Sequence, residues 1–385
     1  MKKRIEKKSV CIISNGYPTK DDPVYAFIQP LVKEIADNGF LCTVIAPQSR
    51  SNQIFSHKNK RAYKWIDKTD KGNEITIFQP QYISVSKLKV KNQSISVLLR
   101  DQAIIKCIEK EKIQTDILYA HFWDCGIVAG KIAEKKKIPV YVATGESKIR
   151  VFDYYPKDII DKYKKFINGV ICVSTKNLNE SQNLKLIEKD KKVIILPNAF
   201  NPNEFYPLSK NKVREKLGFS KDSKIAIFVG AFSERKGVLR VVEAAKEIKG
   251  LKLVLIGEGK LKPESNQILF CGKMPHNQIV EYLNSADVFV LPTLAEGCCN
   301  AIVEALACGL PVISSDLPFN KDILNCNNSI MINPENINEI SEALKKIVSS
   351  DILMKSMSEA ALLMANSLTI KNRSLKICEF MNLKH

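Results

Sequence analysis

No apolar run in this 385-residue chain approaches the ~18–20 residues that a membrane-spanning helix needs. The basic start, Met1 to Lys8, leads only into a short apolar run, Val10 to Ile13, followed by Ser14-Asn15-Gly16. The long apolar stretch and small-residue cleavage site of a secretory signal are missing, so the segment reads as a charged lead-in to a first strand. The eleven cysteines include no C-x-x-C pair. Most lie in apolar runs, as Cys11, Cys42, Cys172 and Cys271 do, where a thiol acts as a small hydrophobe. A reduced, cytoplasmic setting is the simplest expectation. There is no internal repeat or low-complexity tract, and the dense Ile, Val and Leu usage excludes disorder. Acidic residues are scarce beside basic ones, 41 against 59, giving a net charge of +18. So basic a chain points to an anionic partner. The basic clusters lack interleaved aromatics and no nucleic-acid motif is present, which argues against nucleic acid.

What is there is an α/β pattern. Apolar, β-branched runs such as Val10–Ser14, Leu41–Ala46, Val140–Ala143, Lys224–Val229, Asp287–Leu291 and Pro311–Ser314 do not alternate, as expected of strands buried on both faces of a parallel sheet. Helical patterns lie between them, including Tyr25–Asp37, Ile95–Glu111, Val238–Lys249, Asn300–Ala307 and Ile337–Val348. Such alternation builds doubly wound sheets, whose ligands bind outside the carboxyl ends of the strands. Pro197 to Pro207 holds three prolines and three asparagines and reads as a linker. The expected organisation is an N-terminal Rossmann-like domain over 1–200 and a second over 201–368. A C-terminal helix in 369–385 is expected to pack back on the first. Residues 1–205 carry 36 Lys and Arg against 22 Asp and Glu, a net +14. Basic clusters lie at Lys2–Lys8, Lys58–Lys71, Lys87–Lys91, Lys135–Lys137 and Lys157–Lys165. They read either as solvated faces or as a surface for anionic lipid.

The segment richest in chemistry follows Asp287–Leu291. Glu296 lies in the loop at that strand's carboxyl end, Asn300 is a good helix N-cap, and Glu304 falls about one turn into the helix. Gly309 stands at the expected helix C-terminal glycine. A helix N-terminus at a strand end suits an anion, while two carboxylates suit hydroxyl donors such as those of sugar and ribose. Upstream, Phe228-Val-Gly230-Ala-Phe-Ser-Glu-Arg235-Lys236-Gly237 follows a strand and opens a helix.

Together these resemble the E-x7-E signature and basic motif of retaining, family-4-type glycosyltransferases with the GT-B fold. The whole chain fits that family's plan of two facing Rossmann-like domains with a cleft between them. The resemblance implies that Glu304 binds the ribose hydroxyls and Glu296 the transferred sugar. The backbone from Gly297 through Cys298 and Cys299 to Asn300 then approaches sugar and distal phosphate. Arg235 and Lys236 are implied to stabilise the leaving diphosphate, with Arg235 standing in for an arginine the family has at Ala231. It also places Gly230 and Gly257 near the donor, Met274 against the base, Gly16 in a loop over the phosphates and His121, at a strand end, in the active site. The family usually has an aromatic and a small residue at Cys298 and Cys299, so sugar choice departs here. A vicinal disulfide at that pair would strain the loop.

The activity implied is retaining hexosyl transfer from a nucleotide-diphosphate sugar, foremost a UDP-sugar, to a glycan or lipid-linked acceptor in bacterial cell-surface polysaccharide or glycoconjugate synthesis. The implied mechanism is front-face attack in which the leaving phosphate takes the acceptor's proton. No cofactor or metal is expected, there being no D-x-D pair. The expected location is cytoplasmic, peripheral on the inner face of an anionic membrane. The alternatives are a GT-B sugar-nucleotide epimerase and a non-catalytic basic protein that binds nucleic acid or membrane.

Overall fold

The computed structural model describes residues 7–19, 22–55, 61–85 and 88–383. His57, His385 and the cluster lysines at 2, 3, 58, 60 and 87 lie outside the described residues. The chain divides into two compact units. The first comprises Met1–Val173, Asn177–Leu196 and Arg373–His385, so far as these are described; the second comprises Ser174–Lys176 and Pro197–Asn372.

The first unit is built on an eight-stranded sheet of β1 (Ser9–Ile13), β2 (Leu41–Ile45), β3 (Lys64–Lys68), β4 (Glu74–Phe78), β5 (Ile117–His121), β6 (Val140–Thr144), β7 (Ile167–Cys172) and β8 (Lys192–Ile195). Their spatial order is β8-β7-β6-β5-β1-β2-β4-β3. Every pairing is parallel except β3 with β4. The order reverses between β1 and β5, which makes the carboxyl ends of those two strands the topological switch point. Helices α1 (Ile28–Asp37), α2 (Ile95–Lys110) and α3 (Trp123–Lys136) follow strands of this sheet. Ile104, Cys107 and Ile108 of α2 join Trp123, Ile127 and Val128 of α3 in the buried core beneath it. The chain's end returns here. The Phe380 ring sits where a side chain on Gly169 would meet it at 2.9 Å, and lies 5.7 Å from the Tyr141 ring.

The second unit has a six-stranded parallel sheet of β9 (Lys224–Val229), β10 (Leu251–Ile256), β11 (Ile268–Gly272), β12 (Val288–Leu291), β13 (Val312–Ser315) and β14 (Ser329–Ile332). The order β11-β10-β9-β12-β13-β14 puts its switch point between β9 and β12. Helices α4 (Val238–Ala245), α5 (Asn300–Ala307) and α6 (Asp351–Ala365) belong to this unit.

Four local expectations need correction. Helix α1 starts at Ile28, not Tyr25, because Tyr25 takes a positive φ of 61° that no helix accommodates. Helix α4 ends at Ala245, four residues early, before a turn at Gly250 with φ 79°. Cys271 is exposed rather than buried, since β11 is an edge strand with one open face. Cys299, not Asn300, is the N-cap of α5; Asn300 is its first helical residue. All eleven cysteines, Cys298 and Cys299 included, are free thiols.

Candidate functional site

At the switch point of the second unit, β9 runs into Gly230 and β12 into the Pro292–Cys299 loop. The close approach of β9 and β10 demands glycine at 257: a side chain there would lie 1.9 Å from the Gly230 carbonyl oxygen. Gly230 itself has ordinary room around it. The backbone thus holds a short turn, 230–237, against the β12 loop, with the Leu294 amide bonded to the Arg235 carbonyl at 2.8 Å.

This turn delivers its two cations to one carboxylate. Oε1 of Glu296 accepts from Lys236 Nζ at 2.7 Å, Arg235 Nη1 at 2.8 Å and Thr293 Oγ1 at 2.8 Å. Arg235 also donates to the Ala295 carbonyl at 2.5 Å. The Lys236 and Glu296 side chains are largely covered, while Arg235 is 44% exposed. Burial opposes the Lys236 charge, but the Glu296 carboxylate outweighs it and raises the pKa above the ordinary lysine value. Lys236 therefore stays an ammonium at neutral pH. The Cys299 thiol, 4.0 Å from Lys236 Nζ, is pushed up by burial and stays protonated.

The loop after Glu296 is fixed from outside. Asn198 donates to the Cys298 carbonyl at 2.9 Å and to Asn300 Oδ1 at 2.7 Å, and its amide reaches the Cys298 sulfur at 3.4 Å. Asn300 thus spends its side chain on Asn198, which is why it does not cap α5. Gly297, Cys298 and Cys299 are buried. Just over one turn into α5, Glu304 Oε1 meets His276 Nε2 at 3.0 Å. Met274, half-buried, stands two residues before that histidine in the segment leaving β11. Arg235, Lys236, Glu296 and Thr293 therefore converge, as do Glu304 and His276. Thr293 and His276 were missed by the sequence reading, although both flank motifs that it singled out.

At the first unit's switch point, Gly16 follows β1 and His121 ends β5. A side chain at Gly16 would meet the Tyr25 ring at 2.8 Å, so glycine is needed to seat that ring. His121 is 8% exposed, and its Nδ1 is buried without a hydrogen-bond partner. Its ring lies among Phe122, 4.5 Å away, and Phe27, 5.2 Å away. Burial, aided by the Arg373 charge, lowers its pKa from 6.5 to about 3. His121 is thus a neutral imidazole under physiological conditions.

Beside it lies a buried ionic cluster with no signature in the sequence. Arg100 pairs with Asp124, in the first turn of α3, and with Asp101 at 3.0 Å. Asp101 also takes Lys131 at 2.7 Å and the Tyr155 hydroxyl at 2.8 Å. Asn15, next to Gly16, donates to Asp124 at 2.8 Å. The Asn15–Asp124 bond therefore ties the β1 loop to the start of α3. Among the described residues no group of three or more His, Cys, Asp or Glu is placed to hold a metal ion.

Residues 209–364 match the family described as glycosyl transferases group 1. The chain is 27% identical over 349 residues to TuaC of Bacillus subtilis (strain 168), named as a teichuronic acid biosynthesis glycosyltransferase, covering 87% of each chain. It is 27% identical over 278 residues to the UDP-Gal:alpha-D-GlcNAc-diphosphoundecaprenol alpha-1,3-galactosyltransferase of Escherichia coli, covering 65% of this chain and 70% of that one. Sucrose-phosphate synthase from Thermosynechococcus elongatus superposes with a TM-score of 0.78 at 16% identity, over 98% of this chain and 99% of that one. The chain thus has the GT-B fold, and its residues 209–364 are similar to the group 1 glycosyl transferases.

Proposed function

We propose that this protein is a retaining glycosyltransferase that moves a hexosyl group from a nucleotide-diphosphate sugar, foremost a UDP-sugar, to a glycan or lipid-linked acceptor in bacterial cell-surface polysaccharide or glycoconjugate synthesis. The observation that carries it is the convergence of Arg235 and Lys236 on Glu296 at the carboxyl end of β12, with Glu304 on the helix that follows. Two cations against one carboxylate leave a net positive site, suited to a diphosphate whose charge grows as the glycosidic bond breaks. Glu296, held by three donors, orients the sugar hydroxyls, and Glu304 takes the ribose. Departure and attack occur on the same sugar face through an oxocarbenium-like state, with the leaving phosphate taking the acceptor's proton. His121, neutral, lines the reacting face without adding charge. No metal takes part, because the cations supply the charge stabilisation. The UDP donor and the diphosphoundecaprenol-linked acceptor named for the Escherichia coli relative support this reading.

The basic excess belongs to acceptor docking. The enzyme works on the cytoplasmic side, held peripherally at an anionic membrane; no helix among the described residues is long and apolar enough to cross it. Each basic residue near such a surface contributes about 1 kcal/mol. Equal sedimentation with anionic and neutral vesicles would reject the docking role. A thermal-shift and turnover screen of UDP-, GDP- and ADP-sugars tests the activity itself. One donor class should stabilise the protein and be turned over, with EDTA present. Silence across all three, or epimer formation in place of transfer, would reject it.

A further inference from the structure

The carboxylate of Glu304 is only half used. Oε1 is held by His276 Nε2 at 3.0 Å, while Oε2 has no hydrogen-bond partner among the described residues. His276 is itself flanked on its other side, where Nδ1 stands 3.7 Å from Glu204 Oε2. Glu204 is fixed in its turn by Asn201 at 2.7 Å, and the Phe205 ring packs edge-on against the imidazole at 5.1 Å. These groups come from three separate segments: α5, the turn at 201–205, and the short helical turn that starts at His276. Cys308, the C-cap of α5, stays an uncharged thiol because burial lifts its pKa to about 12. The charged groups facing the imidazole are thus Glu304 and Glu204.

We propose that His276 is a positioning residue of the nucleotide site: it clamps one oxygen of Glu304 and so presents the other to a vicinal diol, the ribose of the donor. The proposal rests on Glu304 being the ribose ligand. A single Nε2–H donor suffices to hold Glu304, but only the imidazolium also satisfies Glu204. When the ring is neutral and keeps its proton on Nε2, the Nδ1 lone pair faces the Glu204 carboxylate and the clamp loosens. The local charge also falls by one beside a binding site for a doubly negative diphosphate. The bond to Glu304, set against the burial that opposes the charge, raises the His276 pKa on balance, so the clamped form persists to higher pH than a free histidine would allow. Donor affinity should therefore fall as pH rises from 6 to 8.5, a window in which the diphosphate of a nucleotide sugar does not titrate.

The test is calorimetric binding of UDP-glucose, GDP-mannose and ADP-glucose to the full chain at pH 6.0, 7.0 and 8.5. It compares the wild type with His276→Ala, His276→Gln, Glu204→Gln and Glu304→Ala, whose thermal midpoints establish that each is folded. The wild type should lose several-fold in affinity across the window. His276→Ala should bind roughly tenfold more weakly at pH 6.0, the loss of one charge-assisted hydrogen bond, and show a flat profile. His276→Gln, which keeps an N–H donor, should recover part of the affinity but stay flat. Glu204→Gln should move the slope to lower pH. If Glu304→Ala weakens binding while His276→Ala keeps both wild-type affinity and slope, the clamp is overturned and the ribose role stands. Wild-type affinity in Glu304→Ala removes the ribose role and the clamp with it, as does binding of none of the three nucleotides.

Discussion

Each unit concentrates charge at its switch point, but the two clusters are built differently. In the first unit, Arg100 and Lys131 are matched by Asp101 and Asp124, with Tyr155 and Asn15 taking the remaining bonding capacity. That cluster is neutral, sealed and complete. In the second unit, Arg235 and Lys236 share the single carboxylate of Glu296, and Arg235 remains open to solvent. That cluster has one positive charge to spare. The same residue types therefore do different work. A balanced, buried set has nothing to gain from a ligand and holds the β1 loop against α3. An unbalanced set at a strand end has positive charge left over, which the proposed function assigns to an incoming diphosphate.

Replacement of Arg100 tests the structural half of this contrast. Arg100→Leu leaves Asp124 buried with its guanidinium partner removed, and should cost about 3–5 kcal/mol of stability in chemical denaturation. A loss under about 1 kcal/mol would mean that the cluster is not a buried structural tie. The opposite pattern is expected of Lys236→Ala, with little change in stability and a fall in turnover of roughly 10²–10³-fold, as for other groups that stabilise developing charge. A near wild-type kcat in that variant would erase the functional half.

A third test uses pH. Since the pKa of His121 falls from 6.5 to about 3 on folding, the unfolded chain binds the extra proton between those values. Stability should therefore be fully present above pH 6.5 and decline as pH falls toward 3, by at most about 1.4 kcal/mol per unit from this group. His121→Asn should flatten that part of the acid-unfolding curve; an unchanged slope would show that His121 is not the group responsible. The smallest effect is expected at Thr293, whose hydroxyl adds one bond to a carboxylate already held by two cations. Thr293→Val should lower kcat only several-fold, about 1 kcal/mol. A loss as large as that of Lys236→Ala would make Thr293 a principal determinant of the Glu296 geometry.

The contrast also explains what could be read in advance. The second site is local: Glu296, Asn300 and Glu304 lie within nine residues and Arg235-Lys236 are adjacent, so their spacing survives in the sequence. The first-unit cluster draws Asn15, Arg100, Asp124 and Tyr155 from four distant segments, and no spacing records that they meet. Strand β3 was hidden for a different reason. Its exposed residues, Lys64, Ile66 and Lys68, belong to an edge, and lysine on an edge strand looks like a basic loop. Strand β14 and helix α6 bury too few residues to announce themselves; in α6 only Met357, Ala361 and Ala365 are buried. The one-residue error at the α5 cap arose because Asn198, a hundred residues away, claims the Asn300 side chain.

In the proposed reaction the diphosphate departs from, and the acceptor attacks, one face of an α-linked donor sugar held beside Arg235, Lys236 and Glu296. Proton NMR of donor cleavage with water standing in for the acceptor tests it directly, because the first-formed free sugar can be seen before it mutarotates. The α-anomer should appear first, at a rate that falls in step with Lys236→Ala and is indifferent to EDTA. Appearance of the β-anomer first would contradict retention and the mechanism built on it.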